Sequence, residues 1–173
     1  MTDLDLRTKI RDVPDFPTEG IVFKDITPLL ADPAYFNETV EQLAAWARPR
    51  EPDVILGAEA RGFIFGGALA YELGCGFVPA RKPGKLPWET VAATYALEYG
   101  TDSLELHRDA IGRGARVIVL DDVLATGGTA KAKTELVEQL GGEVVGVLFV
   151  IELEFLDGRK KLDGYDVHAL IAY

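Results

Sequence analysis

The chain has 173 residues, a length that fits one ordinary domain and leaves little room for a second. Hydrophobic residues make up 48% of the chain and charged residues 27%, a balance typical of globular proteins. The formal net charge of −10 at pH 7 argues against a nucleic-acid partner, because neutralising phosphates requires clustered lysine and arginine.

The amino-terminal sequence MTDLDLRTKI has acidic residues and no apolar segment, so it does not resemble a secretory signal. No apolar run approaches the roughly 18 residues needed to span a membrane. The single cysteine, Cys75, lies in a small apolar stretch, where we expect a buried and unreactive thiol. We therefore expect a cytoplasmic protein with no membrane partner.

Hydrophobic patterning predicts alternating helices and strands along the chain. In chain order these are a helix over 3–12, a strand over 21–23, a helix from 32 to 48, a strand over 53–57, a helix over 62–73 and a strand over 77–80. They continue with an aperiodic loop over 81–94, a hairpin of 95–99 and 103–106, a strand over 116–120, a helix over 129–140, and strands over 144–151 and 166–171. This alternation predicts an α/β fold with a mainly parallel central sheet flanked by helices.

Residues 117–129, VIVLDDVLATGGT, place a glycine-rich turn between a predicted strand and a predicted helix. The turn is made of Ala125, Thr126, Gly127, Gly128 and Thr129, which we call the phosphate loop. Its glycines allow a tight turn, and the free N–H groups at the start of the following helix favour an anion. The segment lacks the Gly-Lys-Ser/Thr ending of a Walker A loop and the G-x-G-x-x-G dinucleotide pattern.

Two adjacent carboxylates, Asp121 and Asp122, precede the phosphate loop and are called the acid pair below. They would repel a phosphate, but they can accept hydrogen bonds from two ribose hydroxyls and help to hold a divalent cation. The alternative is a pair of loop aspartates that solvate the end of a strand. The strand before the pair and the TGGT sequence after it favour sugar binding.

The sequence VIVLDDVLATGGTA resembles the phosphoribosyl-pyrophosphate signature of the type I phosphoribosyltransferases. The resemblance implies one domain over residues 1–173, with a small amino-terminal hood over about 1–30 and a mobile loop over about 81–100. It implies that the acid pair binds ribose and that the phosphate loop binds the 5′-phosphate. It also implies Mg²⁺ held mainly by pyrophosphate and ribose oxygens, through water to Asp121 or Asp122, with no site made of protein ligands alone.

Residues 14–30, PDFPTEGIVFKDITPLL, resemble the base pocket of the adenine-specific members of this family. The resemblance implies that Phe23 stacks on adenine and that backbone groups of Val22 and Lys24 bond its edge. Peptide N–H and C=O groups complement the amino group and ring nitrogens of adenine. The alternative for Val22 and Phe23 is an ordinary core strand.

Residues 57–70, GAEARGFIFGGALA, resemble the pyrophosphate-binding loop of the family. The resemblance implies that backbone N–H groups from Ala60 to Gly62 and the side chain of Arg61 bind pyrophosphate. An arginine just beyond a strand end is well placed for such an oxyanion. The alternative for Arg61 is a structural salt bridge.

Residues 81–100, RKPGKLPWETVAATYALEYG, resemble the mobile loop that closes over the reaction centre. The resemblance implies that Arg81, Lys82 and Lys85 reach pyrophosphate, partly from the neighbouring subunit of a homodimer. For the two lysines the alternative is an exposed, charged surface loop.

The LEYG sequence at 97–100 matches the pattern of the adenine-specific members. It makes Glu98 the candidate catalytic residue beside adenine N7 and Tyr99 a further substrate contact. An exposed hairpin carboxylate is the alternative for Glu98.

Together these resemblances imply the reaction of adenine with phosphoribosyl pyrophosphate to give AMP and pyrophosphate, a step of purine salvage. A salvage enzyme for a 6-oxopurine or for orotate is the closest alternative. A different alternative is a regulator with the same fold that binds the sugar phosphate without turnover.

Overall fold

A computed structural model describes residues 4–96 and 100–173. The chain divides into two compact units, Met1–Gln42 and Leu43–Tyr173. The assignment of residues 1–173 to one domain with a hood over about 1–30 stays a prediction.

The first unit contains a short antiparallel ribbon. A 3₁₀ turn, Leu6–Lys9, precedes β1, Arg11–Pro14, which pairs with β2, Val22–Asp25. The predicted helix over 3–12 is therefore wrong in its second part. The chain extends after one turn, and in the ribbon that follows Lys24 Nζ lies 2.7 Å from Asp12 Oδ1.

Two helices follow the ribbon. The first, α1, covers Thr27–Ala31 and was not predicted; the N–H of Thr27 donates a hydrogen bond to Asp25 Oδ1 at 2.9 Å. The second, α2, covers Pro33–Ala47, as the Asp32-Pro33 start signal predicts. Asp32 Oδ1 accepts a hydrogen bond from the N–H of Ala34 at 3.1 Å, which caps this helix.

The second unit is built on a five-stranded parallel sheet. Its strands are β3 Val54–Ala58, β4 Gly76–Ala80, β7 Arg116–Leu124, β8 Glu143–Glu152 and β9 Val167–Ala172. In the sheet they lie in the order β4-β3-β7-β8-β9. Two helices pack on this sheet, α3 Arg61–Leu73 and α4 Gly128–Gln139. Residues 117–120 and 147–151 are almost fully buried, because both faces of the central strands are covered. The predicted α/β fold with a parallel sheet is confirmed.

A separate hairpin pairs β5, Thr90–Ala96, with β6, Thr101–His107. The predicted loop over 81–94 is therefore wrong from Thr90 onward, since that residue already pairs with His107. The hairpin begins before the predicted strand at 95–99 because Val91 is buried there, as Leu104 and Leu106 are on β6. Residues 97–99 lie outside the described part of the chain.

Cys75 is half-buried rather than buried, and burial raises the pKa of its thiol. In the described ranges 4–96 and 100–173, no helix combines the length and apolar character needed to cross a membrane.

Candidate active site

Three segments of the second unit meet at the carboxyl-terminal edge of the sheet. Glu59 to Arg61 follow β3, Arg81 to Lys85 follow β4, and Asp121 to Thr129 lie at the end of β7. Because β4, β3 and β7 are parallel neighbours, these segments share the edge at which ligands of α/β proteins bind.

The acid pair lies within β7, which continues to Leu124, and not beyond the strand end as the sequence suggested. Pairing with β8 extends the strand, since Asp121 is opposite Phe149 and Val123 is opposite Ile151. Two polar residues inside a buried strand need charged partners, and the structure supplies one for each.

Asp121 is held by the neighbouring backbone and by a buried lysine. Its Oδ1 accepts a hydrogen bond from the N–H of Asp122 at 3.0 Å, and its Oδ2 accepts one from Lys133 Nζ at 2.7 Å. Lys133 is fully buried and also donates to the carbonyl oxygen of Leu120 at 2.9 Å. A charge-assisted contact of this kind fixes the orientation of the carboxylate.

Asp122 is more deeply buried, with only 6% of its side chain exposed, and its Oδ2 lies 2.8 Å from Arg61 Nε. The contact is ionic and lacks the alignment of a hydrogen bond within the described residues. Burial, reinforced by the negative charge of Asp121, raises the pKa of Asp122 to about 7 against the opposing charges of Arg61 and Lys133. The acid pair is therefore a pair of carboxylates that repel each other, and each lies beside one cation.

The first turn of α3 packs directly on the acid pair. The helix begins at Arg61, after Ala60 at its cap position, and Gly62 is buried. A Cβ atom at Gly62 would lie 2.8 Å from Asp121 Oδ1, so only glycine leaves space for this carboxylate. The predicted pyrophosphate-binding residues are thus brought into contact with the predicted ribose-binding residues.

The phosphate loop, Ala125 to Thr129, leads into α4, which begins at Gly128. Gly127 has φ +81°, a left-handed conformation that favours glycine, and a side chain there would meet the backbone of Gly158. Thr126 is exposed. The predicted turn before a helix is therefore confirmed in its shape, and binding of an anion at this helix start stays a prediction.

The basic residues after β4 are held by carboxylates. Glu59 accepts hydrogen bonds from the N–H of Lys82 at 2.7 Å, from Lys85 Nζ at 3.0 Å and from Arg81 at 3.3 Å. Burial alone would raise the pKa of Glu59, but these three donors lower it to about 2. The side chain of Lys82 pairs with Asp102 on β6. Each of the three cations therefore has a carboxylate partner, with Glu59 shared by Arg81 and Lys85.

The other predicted site residues belong to the first unit or fall outside the described part of the chain. Val22, Phe23 and Lys24 lie on β2 of the first unit. Val22 is 49% exposed, which does not fit an ordinary core strand, and the ring of Phe23 packs edge-on against Phe16 at 5.2 Å. Glu98 and Tyr99 fall within residues 97–99, which the structure does not describe.

Sequence reasoning missed Lys133 and Glu59. Lys133 had a signal, because it lies three residues after Ala130 and four before Val137, in the apolar stripe of α4. A charged residue in such a stripe needs a buried partner. Glu59 gave no such signal, since its partners follow more than 20 residues later in the chain.

Comparison with known proteins identifies the family. Residues 30–170 match the family model described as "Phosphoribosyl transferase domain". The chain is 58% identical over all 173 residues to the adenine phosphoribosyltransferase of Thermoanaerobacter sp. (strain X514), with 100% of both chains covered.

Solved structures agree with this assignment. The crystal structure of adenine phosphoribosyltransferase from Thermoanaerobacter pseudethanolicus has a TM-score of 0.96 and 57% identity, covering 99% of this chain and 100% of that one. The Saccharomyces cerevisiae enzyme, complexed with adenine and an imino-altritol bisphosphate, has a TM-score of 0.93 and 44% identity, with 97% of each chain covered. The chain therefore belongs to the adenine phosphoribosyltransferases, purine-salvage enzymes with the type I phosphoribosyltransferase fold.

Proposed function

We propose that this chain transfers the phosphoribosyl group of phosphoribosyl pyrophosphate to N9 of adenine, giving AMP and pyrophosphate. The observation that carries the proposal is the acid pair, Asp121 and Asp122, held between Arg61 and Lys133 beside the start of α4. Carboxylates suit the hydroxyls of a sugar, and a helix start suits its phosphate.

In this proposal the two halves of the sugar substrate bind adjacent segments. Asp121 and Asp122 accept hydrogen bonds from the ribose hydroxyls, and the N–H and hydroxyl groups of residues 125–129 bind the 5′-phosphate. The N–H groups from Ala60 to Gly62 and the guanidinium of Arg61 bind pyrophosphate. Arg81, Lys82 and Lys85 would join them after exchanging their present carboxylate partners for the pyrophosphate oxygens.

In this proposal the residues that bind adenine belong to the first unit. Phe23 stacks on adenine, and the backbone of Val22 and Lys24 bonds its edge. The yeast relative was crystallised with adenine, which supports the same base for this chain.

The reaction itself depends on charge and position. The C1′–O bond to pyrophosphate breaks and the N9–C1′ bond forms, and positive charge develops on the ribose in the transition state because breaking of the first bond runs ahead of formation of the second. The negative acid pair stabilises that charge, and the cations of Arg61 and the basic loop stabilise the leaving pyrophosphate. Glu98 receives or directs the proton that adenine loses, and Tyr99 contacts the substrate beside it.

Mg²⁺ is the proposed cofactor. Within the described residues no group of three His, Cys, Asp or Glu side chains could hold a metal ion. In this proposal the pyrophosphate and ribose oxygens supply most of the ligands of the ion. The carboxylates of Asp121 and Asp122 would hold such an ion through its water ligands, because oxygen is the donor that Mg²⁺ prefers. When bound, the ion neutralises pyrophosphate and makes it a better leaving group.

We also propose a cytoplasmic homodimer. On α3, Ile64 is 41% exposed and Tyr71 is 90% exposed, an apolar surface that a second copy would cover. The test is the molar mass in solution, measured by light scattering. A monomeric mass at micromolar concentration would contradict the dimer.

The base is tested directly by measuring pyrophosphate release with adenine, hypoxanthine, guanine and orotate, each with phosphoribosyl pyrophosphate and Mg²⁺. Release with adenine alone is expected, and omission of Mg²⁺ should abolish it. Preference for hypoxanthine, guanine or orotate would point to the related salvage enzymes. Binding of the sugar phosphate without release from any base would point to a regulator.

The role of Glu98 is tested by Glu98→Gln. Turnover with adenine should fall by about 100-fold, because general acid–base groups contribute at least that much. Glu89→Gln, which changes an exposed carboxylate of the same loop, is the matched control and should keep wild-type turnover. A loss of less than about threefold for Glu98→Gln, under roughly 0.7 kcal/mol of barrier, would exclude the proton role.

A further inference from the structure

Lys133 is a fully buried cation that the proposed reaction does not use. It lies on α4, among apolar residues, and its ammonium group has two acceptors, Asp121 Oδ2 at 2.7 Å and Leu120 O at 2.9 Å. Burying a lysine costs several kcal/mol unless it is paired, so a packing role alone would be filled better by leucine or methionine. The arrangement therefore indicates a task for the charge.

The carboxylate of Asp121 is fixed from two sides. Lys133 holds Oδ2, and the N–H of Asp122 holds Oδ1 at 3.0 Å. On the Oδ1 side Gly62 leaves just enough room, since a Cβ there would approach to 2.8 Å. With 15% of the side chain exposed, the carboxylate keeps lone pairs that a ligand can reach.

Each carboxylate of the acid pair lies beside one cation. Arg61 lies beside Asp122, and Lys133 lies beside Asp121. Without Lys133, two adjacent carboxylates would share Arg61, and Asp121 Oδ2 would lose its donor. Like charges on adjacent buried residues repel each other, so the carboxylate of Asp121 would turn away or take up a proton.

We propose that Lys133 is a positioning residue that presents Asp121 to the ribose hydroxyls, so that recognition of the sugar depends on this buried lysine. The inference rests on the proposed function, because it takes the acid pair as the ribose site. Lys133 itself does not touch the substrate.

The test compares two ligands that differ only in the hydroxyls. AMP and 2′,3′-dideoxy-AMP are titrated by calorimetry into the wild type, Lys133→Met, Lys133→Gln and Lys131→Met. Methionine keeps the length of the side chain without its charge, and glutamine keeps an N–H donor. Lys131→Met is the matched control, because Lys131 is on the same helix but its side chain is 38% exposed.

The wild type should bind AMP at least about tenfold more tightly than dideoxy-AMP, the effect expected for hydrogen bonds to a charged acceptor. In Lys133→Met this ratio should fall to below about threefold, with dideoxy-AMP affinity little changed. Lys133→Gln should lie between the two, and Lys131→Met should match the wild type.

Each other outcome has a distinct meaning. If Lys133→Met and Lys133→Gln lowered the affinity for both ligands equally, Lys133 would have a general structural role, and the proposal would be overturned. A wild type that does not discriminate between the ligands would contradict the ribose role of the acid pair itself. If Lys133→Met does not fold, the ratio in Lys133→Gln decides, since an unchanged ratio there would overturn the proposal.

Discussion

A methyl group on Gly62 would lie 2.8 Å from Oδ1 of Asp121, a distance that real Cβ atoms do not adopt. The start of α3 and the end of β7 are therefore fitted to each other at the point where the proposed pyrophosphate and ribose sites meet.

Gly62→Ala should displace the carboxylate of Asp121 and selectively weaken the binding of phosphoribosyl pyrophosphate. We expect the KM for phosphoribosyl pyrophosphate to rise by about tenfold or more, with a smaller change in the KM for adenine. Steady-state kinetics with each substrate varied in turn measures the effect. Gly67→Ala is the control on the same helix, because nothing lies within 4 Å of its added atom, and alanine should stabilise the helix by about 0.5–1 kcal/mol. Equal changes in both KM values would contradict the prediction.

Gly127→Ala should damage both stability and phosphate binding. The left-handed conformation, φ +81°, costs a side chain about 1–2 kcal/mol, and the new atom would also meet the backbone of Gly158. Urea unfolding measures the first effect and titration with ribose 5-phosphate the second. Gly164→Ala has the same kind of conformation, φ +90°, with open space around it, and should lose only the conformational part. Similar losses of stability in the two variants would show that the clash with Gly158 does not contribute.

The lowered pKa of Glu59 predicts that this residue contributes to stability in a pH-dependent way. Its pKa in the folded chain is lowered from 4.5 to about 2, so the ionised carboxylate stabilises the fold above pH 4.5, and this contribution is lost as the pH falls toward 2. Glu59→Gln should therefore lower the free energy of unfolding at about pH 7, and the difference from the wild type should shrink at about pH 3. Denaturant unfolding at the two pH values measures it. Glu143→Gln, with a 63% exposed side chain, is the control and should behave like the wild type. If the difference in free energy of unfolding between Glu59→Gln and the wild type were the same at both pH values, the lowered pKa of Glu59 would be refuted.

Arg159 should stabilise the segment that supports the phosphate loop. Its guanidinium binds both carboxylate oxygens of the buried Glu152 at 2.6–2.9 Å. Arg159→Ala should lower the free energy of unfolding by about 2 kcal/mol, because a buried carboxylate loses its partner. Arg159→Lys should recover only part of this, since lysine lacks the planar fork. Lys160→Ala, with a 76% exposed side chain, should have little effect, and a loss as large as that of Arg159→Ala would contradict the prediction.

Much of the sheet and of the phosphate loop was predictable because the signals are local. The apolar run before Asp121 favours a strand covered on both faces, and the two glycines after Thr126 favour a tight turn at the start of a helix. The extent of β7 was not predictable, since the pairing of Val123 with Ile151 on β8 decides it.

The charge arrangement of the site was the part that sequence could not supply. Arg61, Asp122, Asp121 and Lys133 come from three separate elements, and their alternation of charge exists only after the chain folds. The same holds for Glu59, whose donors come from the segment after another strand. Hydrophobic patterning locates elements, but it contains no information on which distant charges will meet.

The burial of Lys133 decides how an inactive form of this protein should be made. Replacing Asp121 by asparagine would leave an ammonium group deep in the protein with only the Leu120 carbonyl as a strong acceptor, and lost activity would then be mixed with lost stability. Asp122→Asn instead removes a carboxylate crowded against its neighbour, and the 42% exposed Arg61 can turn to solvent. A substrate complex for crystallography is therefore best sought with Asp122→Asn, in a protein expected to be at least as stable as the wild type at neutral pH.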